Sequence, residues 1–303
     1  MLVGSRYDGQ LPSRFRSQTS ARMQVSLVQH AISDAPADAL DRGLEALATA
    51  AAAGADLVVF PELSFTPFYP RVPIADRPET ALDLAEPVPG PTTEALADAA
   101  QAHEVVVVFN LMERAGSRTF DTSPVIDADG TLLGRTRMMH ITEYEHFHEQ
   151  GYYAPGDTGA PVYDTAVGRL GVAICYDRHF PEYLRALALQ DAEIVAVPQA
   201  GTVSEWPDGM YEAELRVAAL QHGFFTALAN RVGHEGEMHF AGGSFVTDPY
   251  GTVVAQAPER EDTVCSASID LDDTPDAPAR RLFLRHRRPD QYEQGAVRLP
   301  PSG

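Results

Sequence analysis

The chain has 303 residues, 44% of them hydrophobic and 22% charged, ordinary globular material long enough to bury one large core. Its 43 acidic against 23 basic residues give a formal charge of −20, a sign that excludes nucleic acid and anionic membrane surfaces as partners. No run approaches the roughly 18 apolar residues of a membrane span, and two cysteines make no disulfide framework, so a cytoplasmic location is expected.

Residues 1–22 are polar and arginine-bearing and lack the apolar stretch of a secretory signal. They read as an extension ahead of a single domain spanning 23–272. Within it, 24–29 (QVSLVQ) is a short strand. Residues 37–53, directly after Pro36, are rich in alanine and leucine at helical spacing, and 55–60 (ADLVVF) form a buried type of strand. A helix over 92–103 and a strand over 104–110 (EVVVVFN) follow. Segments 119–127 and 131–140 flank Ala128-Asp129-Gly130, whose Asp-Gly is a hairpin signal. A second hairpin joins 162–166 to 170–175 through Val167-Gly168-Arg169. Then come helix 181–190, strand 193–198, helix 209–222 and strand 224–229. Strands 243–247 and 252–257 turn at Asp248-Pro249-Tyr250-Gly251, and a strand over 263–269 ends the series. Hairpins among crossovers predict a mixed pair of sheets covered by helices, an α/β fold of the α+β type, rather than one doubly wound sheet. The tail, 273–303, is rich in Pro and Arg. It is expected to contact a neighbouring subunit, with the arginines between Arg280 and Arg288 pairing with that subunit's carboxylates.

Three segments carry candidate chemistry. Cys175 ends the apolar strand Gly171-Val172-Ala173-Ile174 and precedes Tyr176-Asp177-Arg178 and a helix opened by Pro181-Glu182. A cysteine on a strand-to-helix turn lies at a helix N-terminus, where the dipole favours thiolate and backbone N–H groups can hold an oxyanion; a buried structural cysteine is the alternative. Glu62, in Phe60-Pro61-Glu62, projects from a strand end, where α/β proteins place their chemistry; the alternative is a solvated acid at the start of a loop. Glu149 lies in His146-Phe147-His148-Glu149-Gln150-Gly151-Tyr152-Tyr153, where aromatic neighbours would raise its pKa by desolvation. The acids and histidines of 143–149 fit no standard metal spacing, so neither a metal nor a cofactor is expected. Cys265, in the last strand, reads as core.

Taken together, FPEL at 60–63, DGTLLGRTRMMH at 129–140 and GVAICYDRHFPE at 171–182 resemble the nitrilase superfamily of carbon–nitrogen hydrolases. ALANRVG at 227–233, GGSFVTDPYG at 242–251 and LRHRRPDQY at 284–292 extend the likeness over nearly the whole chain. The resemblance implies a four-layer α-β-β-α sandwich that dimerises to an α-β-β-α-α-β-β-α core, hence a homodimer or higher homo-oligomer. It implies Glu62 as general base, Cys175 as the nucleophile that forms a thioester acyl-enzyme, and Glu149 as a second glutamate that positions substrate and helps move protons.

The family's lysine, which stabilises the tetrahedral intermediate, falls on Met138, and no lysine occurs anywhere in the chain. On a strand Arg137 would point away from the face of Met138, whereas His140 shares it and is a substitute cation. Without a lysine, Glu62 and Glu149 face each other, and like-charge repulsion holds a proton on one of them. FHEQGYY, ICYDRHFP and the stretch at 206–235 look most like β-ureidopropionase and related N-carbamoyl amino acid amidohydrolases. Arg178, Tyr176 and His140 are by this likeness substrate-binding, Arg178 capturing a carboxylate bidentately; an Arg178–Glu ion pair is the alternative. The implied activity is hydrolysis of the C–N bond of a small amide or N-carbamoyl (ureido) substrate through a cysteine acyl-enzyme. The alternatives are altered acyl-transfer or condensation chemistry on the same scaffold, or a non-catalytic family member.

Overall fold

The computed structural model describes residues 22–32 and 38–292, so the extension before Arg22, the Pro36 helix entry and the end of the tail lie outside the described residues. The strands in chain order are β1 (Arg22–Gln29), β2 (Leu57–Val59), β3 (Val106–Val108), β4 (Leu111–Ala115), β5 (Arg118–Ile126), β6 (Leu132–Arg137), β7 (Val162–Thr165) and β8 (Gly168–Val172). They continue as β9 (Ile194–Gln199), β10 (Phe225–Asn230), β11 (Val232–Glu235), β12 (Met238–Ala241), β13 (Phe245–Thr247), β14 (Val253–Gln256) and β15 (Thr263–Asp270). One sheet runs β15-β1-β2-β3-β5-β4, with β6 also on β5. A second runs β14-β13-β10-β9-β8-β7, and β11 with β12 makes a small ribbon. Both sheets are mixed, parallel at the centre (β1-β2-β3 and β8-β9-β10) and antiparallel outside it. Hairpins and crossovers both occur, as the turn signals predict.

Alternation along the strands separates the layers. Leu27, Leu57, Val59, Val106 and Val108 of the first sheet meet Leu170, Val172, Ile194, Ala196 and Ala227 of the second in one core. Their neighbours of opposite parity face outward. Val28, Val58 and Val107 pack under Leu47 and Leu96, from the helices Ala39–Ala52 and Pro91–His103. On the other side Val195, Val197 and Leu228 pack under Leu187 and Leu215, from Pro181–Leu189 and Met210–His222. With a period of two, each central strand must be apolar on both faces, which is why ADLVVF and EVVVVFN read as continuous runs. The result is two central sheets flanked by helices. Among the described residues no helix is long and apolar enough to cross a membrane.

Two details differ from the sequence pattern. The segment after Val108 becomes a separate strand, β4, folded back on β5 from Leu111↔Thr122 to Ala115↔Arg118. The tail beyond Asp273 is also fastened to its own chain. The Arg280 guanidinium donates to the carbonyls of Gly223, Ala188 and Ala192 and pairs with Asp191 at 3.1 Å. Arg281 pairs with Asp276 and Arg288 with Asp290, so these three arginines have partners within the chain. Arg280 thereby adds a charged donor to carbonyls at and just past the ends of the two outer helices of the second sheet.

Arg280→Ala leaves those carbonyls without their charged donor and is expected to lower stability by about 2 kcal/mol. Urea unfolding would read this as a lower midpoint at unchanged slope; an unchanged midpoint would show that the strap contributes nothing.

Candidate active site

The ends of strands from both sheets meet at one place. After β2, the Phe60 N–H bonds to the Val108 carbonyl at 2.8 Å and the Glu62 N–H reaches across to the Gln199 carbonyl at 3.3 Å, joining the two sheets. The turn that follows holds Leu63 at φ 44°, a left-handed conformation costly for a leucine. Asn110 fixes it: its Oδ1 accepts from the Leu63 N–H at 2.7 Å, and its Nδ2 donates to Asp121 Oδ1 at 2.6 Å. Arg231, fully buried, clamps the same turn by donating to the carbonyls of Glu62, Leu63 and Thr66. The Glu62 carboxyl is fully buried. Neither of its oxygens has a hydrogen-bond partner among the described residues; the Cys175 thiol and the Asp121 carboxyl lie beside it.

Cys175 lies just past β8 with φ 39°, a second strained non-glycine position of the kind that collects at functional sites. Its carbonyl accepts from Arg178 Nη1 at 3.0 Å, and the same nitrogen donates to Gln199 Oε1 at 2.9 Å. The turn Cys175–His179 is 3₁₀, and the α-helix begins only at Pro181. This corrects the expected thiolate. The thiol is buried rather than capped by a helix dipole, and desolvation, reinforced by the charge of Glu62, pushes its pKa well up.

Met138 follows β6 and is fully buried. Its N–H donates to the Asp121 carbonyl at 2.9 Å, and its carbonyl accepts from the Gly156 N–H at 2.8 Å. A Cβ on Gly156 would run into the carbonyls of Arg137 and Met138, so this approach requires glycine. Arg137 turns to the other side, as strand alternation predicts. It forks onto Glu113 at 2.8 and 2.7 Å, reaches Asp157 at 2.7 Å, and lies 3.9 Å from the Phe120 ring centre. His140 is held by Asp177, with Nδ1 at 2.7 Å from Oδ1, and its ring stacks on Phe180 at 3.5 Å. The Asp177 carboxylate also takes the Met139 and His140 N–H groups, so it ties the Met138 segment to the Cys175 turn.

Glu149 opens a short 3₁₀ turn and is fully buried. Its Oε2 accepts from the Thr142 N–H at 3.2 Å, while Oε1 has no partner among the described residues. Burial and then the charge of Glu149 raise the Glu62 pKa to about 8. Burial and then the charge of Asp121 raise that of Glu149 well above the carboxylate range. The like-charge repulsion expected between the two glutamates is thus present, with a third carboxyl added. Asp121, also fully buried, lies beside Glu62, and burial and then the Glu62 charge raise its pKa. Asp121 was missed from sequence, although a charged side chain within the otherwise uncharged stretch TFDTSPVI was a usable signal. The Tyr153 hydroxyl, buried beside the same carboxyls, has no partner among the described residues.

Arg178 forms the ion pair that was the alternative to substrate binding: Nε lies 3.2 Å from Glu214 Oε2. Its Nη2 alone is left buried without a partner among the described residues. Tyr176 is half-buried, its ring edge-on to His179 and Phe180. At the rim, Glu205 accepts from the hydroxyls of Tyr144 and Tyr211, each at 2.6 Å. The arrangement brings a buried thiol together with three buried carboxyls, and the guanidiniums of Arg178 and Arg231 are ion-paired outside that group.

Residues 24–279 match the carbon-nitrogen hydrolase family. An N-carbamoylputrescine amidase from Solanum lycopersicum is 33% identical over 254 residues, covering 79% of this chain and 83% of that protein. A β-ureidopropionase from Arabidopsis thaliana is 34% identical over 224 residues, 70% of this chain and 54% of that one. The crystal structure of a carbon-nitrogen hydrolase from Helicobacter pylori G27 superposes with a TM-score of 0.84 at 29% identity, covering 91% of this chain and 99% of that chain.

The carboxyl cluster has a measurable signature. Glu62 keeps its proton to about pH 8 in the fold against a reference value of 4.5, so the native state binds more protons than the unfolded chain across that interval. Stability therefore falls as pH rises through it, and Asp121 and Glu149 act in the same direction. Met138→Lys places a cation beside the three acids, lowers their pKa values and flattens this decline. Urea midpoints at about pH 5 and about pH 8 are expected to drop more in the parent than in Met138→Lys; equal drops would contradict a protonated cluster.

Proposed function

Because the chain belongs to the carbon–nitrogen hydrolase family, we propose that it hydrolyses the C–N bond of a small amide or ureido substrate through an acyl-enzyme on Cys175, with Glu62 as base. The observation that carries this reading is the burial of the Cys175 thiol beside the Glu62 carboxyl, close enough for the two groups to interact, at a backbone φ of 39°. A base within reach turns a protonated thiol into a nucleophile only when substrate is present. Sulfur attacks the carbonyl carbon as Glu62, in its ionised form, takes the thiol proton, and the same proton leaves with ammonia or an amine. Water activated by Glu62 then releases the acid. Glu149 presents the unpartnered Oε1 and carries the proton that burial imposes. We assign it the donation to the oxyanion that the family gives to lysine. Arg178 retains one free donor, Nη2, for a substrate carboxylate, with Tyr176 and His140 as neighbouring wall. Met138 favours one variant of the reading, a reaction on an acyl group electrophilic enough to need little help.

We further propose that two copies pair through the helices outside the second sheet, which would stack the layers into an α-β-β-α-α-β-β-α core. Leu189, Met210, Val217, Leu220, Leu282 and Phe283 are 38–51% exposed on those helices and the tail, more apolar surface than solvent favours. Val217→Glu is expected to shift the sedimentation coefficient from dimer to monomer; an unaltered profile would sink the pairing.

Ammonia release from N-carbamoyl amino acids and simple amides tests the chemistry. Cys175→Ala should lower the rate by roughly 10⁴-fold or more, and Met138→Lys should raise it on neutral amides by roughly 10²-fold. Release that persists in Cys175→Ala would end the acyl-enzyme reading.

A further inference from the structure

Around the thiol three carboxyls outnumber the guanidinium of Arg178, whose charge also reaches Cys175. Glu62, Asp121 and Glu149 are fully buried. Asp121 lies beside Glu62, and Glu149 is close enough to interact with both. The side chain at the lysine position is Met138, fully buried. The guanidinium groups of Arg178 and Arg231 spend most of their donors elsewhere, Arg178 on Glu214 and Gln199 and Arg231 on Glu235 and backbone carbonyls, leaving Arg178 Nη2 and Arg231 Nε without a partner among the described residues. Both Glu62 oxygens, Asp121 Oδ2 and Glu149 Oε1 are buried with no hydrogen-bond partner among the described residues, and so is the Tyr153 hydroxyl beside them. Buried polar atoms are ordinarily satisfied, so this concentration of unmet acceptors marks the place of a missing donor-rich group.

We infer that Cys175, Glu62, Asp121 and Glu149 form a site for a planar nitrogen cation, an amidinium or guanidinium, whose central carbon is the electrophile for the Cys175 sulfur. The inference rests on Cys175 being the nucleophile and narrows the substrate to a class that brings its own positive charge. Such a cation presents parallel N–H pairs that match carboxylates in a two-pronged fork. Among the described residues no three His, Cys, Asp or Glu side chains are arranged to hold a metal ion, whereas a flat organic cation spans a wider gap.

The chemistry explains why lysine is dispensable. When thiolate adds to an amide, a negative oxygen forms and requires a cation. When thiolate adds to an amidinium, the C=N π pair moves to nitrogen, the positive charge is neutralised and no anion appears. In the first step Glu62, ionised by the bound cation, takes the thiol proton, the C–S bond forms and a neutral diamino adduct results. Glu62 returns the proton to one nitrogen, the C–N bond breaks, ammonia leaves, and a positively charged thioimidate remains on Cys175. Water adds to that carbon as Glu62 takes its proton. Collapse of the adduct breaks the C–S bond, moves the hydroxyl proton to sulfur and releases an amide from an amidinium, or a urea from a guanidinium. The proton left on Glu62 joins ammonia as ammonium, so the sum is cation plus water to amide plus ammonium. The carboxylates stabilise every cationic stage and repel the neutral route's oxyanion.

Two isosteric pairs differ in charge alone: acetamidinium against acetamide, and guanidinium against urea. With the full chain, we expect ammonia release at least tenfold faster from the cation of one pair than from its neutral partner, and the pair that responds identifies the class. Acetamidinium should also protect Cys175 from iodoacetamide at a concentration at least tenfold lower than acetamide. Met138→Lys should reverse the order of the responding pair, changing the cation-to-neutral rate ratio by at least 100-fold. Asp121→Asn, close in shape, should reduce the protection by the cation about tenfold. If the parent releases ammonia from amides or ureas as fast as from the cations, the cation site is overturned while the hydrolase reading stands. If no member of either pair nor any carbamoyl amino acid releases ammonia, and the cations give Cys175 no more protection than their neutral partners, both are overturned.

Discussion

The face-to-face packing of the two sheets is the constraint on which the site depends. Glu62 and Cys175 lie 113 positions apart by their numbering, on turns that leave different sheets, β2 in one and β8 in the other. They meet because Leu57 and Val59 share a core with Leu170 and Val172, which sets the relative height of the strand ends. Polar ties then fix the turns: the Glu62 N–H on Gln199, Arg231 on the Glu62 turn, Asp177 between Met138 and Cys175. Each satisfies a backbone group that burial would otherwise leave costly. The apolar interlayer therefore supplies the approach, and a handful of buried polar side chains supply the aim.

Much of this was legible in the sequence because it rests on local pattern. Central strands announced themselves as unbroken apolar runs, the outer helices by their spacing, and Cys175, Glu62 and Glu149 by their position at strand ends or among aromatics. Arg137 could be placed away from Met138 by the alternation of a strand alone, and its fork onto Glu113 agrees. What was not legible depended on partners distant in the chain. Asp121 stands in a strand of threonines and serines, and nothing local says that its carboxyl reaches Glu62. The thiol looked dipole-activated because strand-to-helix turns generally are; a 3₁₀ turn intervening before Pro181 removed the dipole and left desolvation in charge. The tail arginines looked intermolecular because charge composition does not reveal that Gly223, Ala188 and Ala192 lie within reach of Arg280.

The interior electrostatics are coherent with the exchange of lysine for methionine. A lysine among Glu62, Asp121 and Glu149 would hold them ionised; methionine leaves them to satisfy burial by keeping protons. Burial then favours the protonated form of the Cys175 thiol and of the Glu62 and Glu149 carboxyls, and on the proposed reaction charge is created only when a substrate supplies or accepts it. This differs from a site poised as thiolate, which is reactive toward any electrophile. Protection of the nucleophile and selection of the substrate become one property, since both follow from which molecule can draw protons off the cluster.

The pairing of β1 with β15 carries a further implication for how the molecule is made. Their ladder runs from Arg22↔Asp270 to Gln29↔Thr263, joining the first described strand to the last. During synthesis β1 and β2 emerge early, yet the edge of β1 stays open until residue 270 has left the ribosome. For all of that time the nascent chain presents an unpaired edge beside Leu27 and Val25, a ready template for another chain. Completion of the first sheet waits on β15, and the burden of keeping the protein from aggregating falls on the interval before that strand arrives.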